Sequence, residues 1–125
     1  EFLSRRNQIV SLYNKEFSTI SQVTIPFVSE KVKHAWHLYT ILLSGVNRNV
    51  FFDEMRQTNI GVNVHYIPVY RHTYYKERFR INPYDFPVTE DIFNRIITLP
   101  LFPKMTDEDV NDVVTAVKET LGKLR

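Results

Sequence analysis

Residues 60–68 read Ile60-Gly61-Val62-Asn63-Val64-His65-Tyr66-Ile67-Pro68. The five residues after Gly61 alternate apolar and polar side chains, and Pro68 closes the run, so the pattern predicts a strand over 62–66. Its alternation puts Val62, Val64 and Tyr66 on one face, toward a core, and Asn63 and His65 on the other. Immediately upstream, Ser44-Gly45 marks a turn, and Asn47 or Asn49 can cap a helix that runs to about Thr58 and is stopped by Gly61. A helix feeding directly into a strand selects a mixed architecture over an all-helical or all-strand one.

Working outward, Lys33 through Leu43 is dense in aromatic, aliphatic and β-branched residues and predicts a long strand. Before it, residues 18–30 are rich in Ser and Thr, contain Pro26, and read as a connection. Ile9, Val10, Tyr13 and Phe17 give residues 3–17 a helical spacing. Downstream, residues 69–86 look irregular, with a turn at Asn82-Pro83. Residues 88–96 read as a helix with Pro87 in its first turn, and Ile96–Leu99 as a short strand closed by Pro100 and Pro103. Thr106-Asp107-Glu108-Asp109 has the capping-box form, followed by a stripe of Val110, Val113, Val114, Val117 and Leu121 that ends at Gly122. The predicted order is α-β-α-β-α-β-α, an α+β fold of helices packed against a short sheet.

Composition bounds the function. The chain has 125 residues, 43% of them hydrophobic, enough for a single domain with its own core. Its net charge of +2 is too mild to point to a nucleic-acid or membrane partner. Cysteine is absent, which excludes disulfide scaffolds, thiol catalysis and thiolate metal sites and fits a reducing compartment, so a cytoplasmic location is expected. The longest apolar stretches, Tyr39–Leu43 and Leu99–Pro103, fall far short of the ~20 residues of a membrane span. No signal-peptide pattern opens the chain, because Arg5 and Arg6 lead into a polar segment. The first residues are Glu1-Phe2-Leu3 with no initiator methionine, so the sequence reads as part of something longer.

Three constellations carry chemistry. His34 and His37 form an H-x-x-H pair, but on a strand residues three apart face opposite ways and cannot share a metal; two sheet positions, one half-buried and hydrogen-bonded, is the preferred reading. Asn63, His65 and Tyr66 place an amide, an imidazole and a phenol near a strand end; a solvated polar face is the usual content of such a strand, and a site beside a loop is the alternative. The run Tyr70–Arg80 interleaves four Lys or Arg with aromatics, a pattern that binds phosphates or stacks bases, or that forms a solvated loop with packing tyrosines. Phosphate-loop, dinucleotide and nucleophile-elbow motifs are all missing. Asp107, Glu108 and Asp109 are explained by a helix N-terminus.

The sequence resembles the C-terminal segment of the DegT/DnrJ-type sugar-nucleotide aminotransferases, pyridoxal-phosphate enzymes of the aspartate-aminotransferase architecture. The resemblance is carried by His34-x-x-His37-Leu38-Tyr39, by Ile60-Gly61-Val62-x-Val64-His65-Tyr66-x-Pro68, by Phe86-Pro87, by Leu99-Pro100-Leu101-Phe102-Pro103 and by Thr106-Asp107-Glu108-Asp109-Val110. Val64-His65-Tyr66-x-Pro68-Val69-Tyr70 looks most like members that make amino sugars for pseudaminic acid or spore-coat and related surface polysaccharides. The resemblance implies that residues 1–125 form the small domain of fold type I, with the large domain missing. That absent domain would hold the cofactor lysine, the aspartate on the pyridine nitrogen and most phosphate contacts, so no catalytic or cofactor-binding residue carries over. His65 and Tyr66 match positions that contact the nucleotide-diphosphate portion of the substrate, and Arg71 lies in the loop bordering the same cleft.

The intact protein is therefore expected to be a homodimeric aminotransferase that takes a nucleotide-linked keto-sugar and an amino donor, glutamate, with this piece closing the cleft and inactive alone. Two rival expectations come from other classes: a stand-alone module binding nucleic acid or another polyanion through residues 70–80, and a structural interaction domain whose aromatics form an interface.

Overall fold

A computed structural model describes residues 2–124. Helix α1, Phe2–Phe17, leads to a two-residue strand β1, Val23–Thr24, and then to β2, Tyr39–Leu43. Helix α2, Arg48–Gln57, follows, then a 3-10 turn at Val69–Arg71 and a short helix α3, Thr73–Phe79. A second 3-10 turn, Pro83–Asp85, precedes α4, Pro87–Arg95, which runs straight into β3, Ile96–Leu99; α5, Asp107–Lys123, closes the fold.

The three strands form an antiparallel sheet in sequence order. Tyr39 pairs with Leu99 and Ile41 with Ile97, and these four with Leu43 make the buried face. Onto it α1 brings Ile9, Tyr13 and Phe17, α2 brings Phe51 and Met55, and α5 brings its valine stripe and Leu121, all in one cluster. Tyr13 and Tyr39 pack with ring centres 5.0 Å apart. Each phenol finds an acceptor at the edge of the cluster: Tyr13 donates to the Pro100 carbonyl at 2.9 Å and Tyr39 to Asn14 Oδ1 at 2.7 Å. Buried hydroxyls require such partners.

Local signals behave as their chemistry dictates. Asn47, not Asn49, caps α2, its Oδ1 accepting from the amides of Asn49 and Val50. Thr106 and Asp109 form the reciprocal capping box of α5. Gly45 takes φ of 74° in the turn after β2. The end of α2 departs from expectation: Asn59, with φ of 63°, takes the left-handed position, and the Ile60 amide returns to the Met55 carbonyl at 3.0 Å. That closure, a Schellman motif, makes Asn59 rather than Gly61 the stop.

Four other expectations are corrected. The strand read over 33–43 contracts to Tyr39–Leu43, because Trp36 turns into the core while His34 and His37 stay exposed outside the sheet. The strand read over 62–66 contracts to one bridge, Asn63 with Thr98, at the free edge of β3. Residues 18–30 contain β1, and 69–86 hold α3 and two 3-10 turns, so the order is α-β-β-α-α-α-β-α. The α+β class stands: five helices and a three-stranded sheet among the described residues.

Candidate functional site

The bridge at the edge of β3 builds the site. The Asn63 amide donates to the Thr98 carbonyl at 3.1 Å and the Thr98 amide to the Asn63 carbonyl at 2.8 Å. Paired this way, Val62 is buried in the core and Val64 packs against it, while His65 turns to the opposite face. The alternation read from the sequence holds through His65 and fails at Tyr66, which is 70% exposed. The peptide bond between His65 and Tyr66 is cis.

His65 is half-buried. Its Nδ1 lies 2.9 Å from Thr98 Oγ1, and its ring meets the edge of Tyr66 with centres 4.7 Å apart. Asn63, expected beside the imidazole, turns its Oδ1 back to the Val64 amide at 2.7 Å, a local bond that occupies its acceptor oxygen.

Arg71 lies in a second cluster, on the 3-10 turn that follows Pro68. Its Nε donates to Glu90 Oε1 at 3.0 Å and its Nη2 to Glu90 Oε2, a two-pronged grip on α4, and Tyr70 donates to Oε1 at 2.8 Å. The Arg71 hydrogen bonds hold the Glu90 carboxyl below its ordinary value, and the same carboxylate holds the guanidinium above its own. Burial, then the charge of Glu90 at its hydroxyl, pushes the Tyr70 phenol up. Arg71 also lies over the Phe93 ring at 4.8 Å, and Arg48 over the same ring at 5.1 Å. Burial, then the charge of Arg71, pulls the Arg48 guanidinium below its usual value.

Two cavities flank this Phe93 junction. One, of about 620 Å³, is lined by Tyr70, Arg71, Lys76, Tyr84, Glu90 and Asn94. The other, of about 460 Å³, is lined by Arg48, Phe52, Asn63, Val64, Ile67 and Phe93. Sequence reasoning singled out His65, Tyr66 and Arg71, and His65 and Tyr66 do lie together, with Arg71 in the adjoining cluster. It missed Thr98, Glu90, Phe93 and Arg48. Glu90 and Phe93 are three apart on α4, a spacing that puts them on one helix face and could have paired them; nothing local links either to Arg71 or Arg48.

His34 Nδ1 accepts from the Trp36 amide at 3.1 Å, and among the described residues no group of three His, Asp or Glu side chains lies together as a metal cluster would need. A pyridoxal-phosphate anchor needs a lysine amine sheltered beside groups that orient the ring. All seven lysines of this chain are exposed, and Lys118 and Lys123 face the carboxylates of Glu16 and Glu54. These residues do not fit that cofactor by themselves. No helix of the described residues is long and apolar enough to cross a membrane.

Against known proteins, the model of the DegT/DnrJ/EryC1/StrS aminotransferase family matches residues 1–118. MJ1066 of Methanocaldococcus jannaschii, an uncharacterized protein, is 42% identical over 97% of this chain and 32% of its own length. The spore coat polysaccharide biosynthesis protein SpsC of Bacillus subtilis is 38% identical over 92% of this chain and 31% of its own. Among solved structures, the PLP-form of Spr1654 from Streptococcus pneumoniae, assigned as a sugar aminotransferase, superposes with a TM-score of 0.90 at 31% identity over 98% of this chain and 32% of its own. The chain thus spans about a third of the length of the relatives it matches.

Proposed function

Because the chain belongs to the DegT/DnrJ/EryC1/StrS aminotransferase family, we propose that residues 1–125 are the small domain of a pyridoxal-phosphate-dependent sugar-nucleotide aminotransferase. The intact enzyme moves an amino group from glutamate to a nucleotide-linked keto-sugar destined for a surface polysaccharide, and works as a homodimer in the cytoplasm. The cofactor's anchoring lysine lies outside this chain, and this domain closes one side of the substrate cleft. The likeness to SpsC supports the polysaccharide setting.

The observation that carries the reading is His65. A half-buried imidazole, held at Nδ1 by Thr98, makes no bond through Nε2 within the described residues and is flanked by an exposed phenol. Nε2 is then free to donate to a ligand, and a diphosphate oxygen is a suitable acceptor. Arg71 serves differently: Glu90 already takes Nε and Nη2, so it braces α4 against the turn at the cleft edge, its charge balanced by that carboxylate.

The test is His65→Ala in the intact enzyme, assayed for transfer of nitrogen from labelled glutamate to keto-sugar nucleotides. A contact to the diphosphate stabilises ground and transition states alike, so KM should rise more than kcat falls. Losing a charge-assisted bond of roughly 1.5–3 kcal/mol predicts a drop of about ten- to hundredfold in kcat/KM. A large fall in melting temperature with KM unchanged would make His65 a packing residue.

A further inference from the structure

Thr98 is one of two buried polar residues among those described, at 5% exposed, and it lies in the middle of a strand. Its backbone is fixed on both flanks, in register with Thr40 on one side and by two hydrogen bonds to Asn63 on the other. A β-branched side chain on so rigid a backbone has few rotamers open to it. Its Oγ1 has one partner, His65 Nδ1 at 2.9 Å.

We infer that Thr98 is a positioning residue that selects the Nε2–H tautomer of His65 and aims that N–H outward at an anionic oxygen. The hydroxyl carries one proton, and Nδ1 is its one hydrogen-bond partner among the described residues. Giving that proton to Nδ1 satisfies both groups and leaves the ring hydrogen on Nε2. In the opposite tautomer, Nδ1–H would donate to Oγ1 and the hydroxyl proton would stay buried without an acceptor, a state proteins avoid. Nε2 itself is not among the buried atoms lacking a partner, so it reaches solvent. The edge-on packing of Tyr66 restrains the ring plane. The strand that carries Thr98 therefore determines, from beneath, which nitrogen of His65 donates. The ligand chemistry follows: an anion oxygen that accepts one hydrogen bond, which under the function proposed above is a phosphate of the nucleotide.

The inference rests on that reading for its ligand but not for its tautomer, and two readouts separate them. In the intact protein labelled with 15N at histidine, the imidazole spectrum reports the tautomer, His65 being assigned by the signal lost in His65→Ala. Calorimetry with uridine diphosphate as probe reports binding. Wild type should show the Nε2–H signature. Thr98→Val should give a tautomer mixture and raise the uridine diphosphate Kd roughly two- to tenfold, and Thr98→Ser should restore both. An Nδ1–H signature in wild type, or a Thr98→Val protein unchanged in tautomer, overturns the inference; the wild-type spectrum decides even where Thr98→Val does not fold. If His65→Ala binds uridine diphosphate as wild type does while the tautomer shifts as expected, the positioning role stands and the substrate contact falls.

Discussion

Arg71 grips Glu90 with Nε and Nη2 across 19 residues, and this pair is the principal tie between the turn after Pro68 and α4. Helix α3, which follows directly, buries no residue of its own. Its order therefore depends on its ends, on the Tyr70 ring stacked 4.8 Å from Phe86 and on the charge pair beside it. Glu90→Gln should speed amide exchange over Thr73–Phe79 while leaving the melting temperature nearly unchanged, since α3 contributes little to the core. Acid should do the same to the wild type. A carboxyl depressed in the folded state adds stability that is present above its unfolded value and is lost as pH falls through the lower, folded one. Exchange protection of α3 that is indifferent to both treatments would show that the pair does not hold the segment.

Alkali should act through the core. Burial, and for Tyr13 also the neighbouring Tyr39, pushes both phenols well above their ordinary value of 10.0. A group raised on folding adds stability that is complete below the unfolded value and is lost as pH climbs toward the folded one. Unfolding should therefore set in above pH 10, with the Tyr13 and Tyr39 phenolate absorbance appearing together with the loss of near-ultraviolet dichroism. Tyr13→Phe, which strips the Pro100 carbonyl of its partner, should cost about 1–2 kcal/mol in denaturant unfolding at neutral pH.

Asn59 should resist replacement by alanine and accept glycine. At φ of 63° a Cβ is strained unless its side chain is Asn- or Asp-like. Asn59→Ala should destabilise by about 1 kcal/mol and Asn59→Gly by a few tenths or less. Equal melting temperatures for the two variants would deny the left-handed closure its role.

Pyridoxal phosphate mixed with this chain alone should give only slow, unsaturable lysine adducts. Each of the seven amines is exposed, and none is set among groups that would orient the cofactor. A stoichiometric, site-specific adduct, seen by absorbance and located by peptide mapping after reduction, would contradict the proposal that the anchoring lysine lies elsewhere.

What the sequence determined by itself was whatever depends on neighbours a few residues apart. The apolar spacing of α1 and α5, the capping box at Thr106, an asparagine cap at position 47 or 49, the short strand Ile96–Leu99 and the inward turn of Val62 are all local, since helix period, strand alternation and cap chemistry act over one to four positions. Family resemblance added His65 and Tyr66. Tertiary structure alone decided the rest. Residues 62–66 look like a strand, but their ladder has one partner, Thr98, on a four-residue β3 that Pro100 follows. Thr98 reads as an ordinary strand threonine until Asn63 brings His65 above it, 33 residues away in sequence. Arg71 reads as a free cation until Glu90 meets it. A side chain's hydrogen-bond partner is set by where the backbone is carried, and that is a property of the packed sheet and helices rather than of any window of residues.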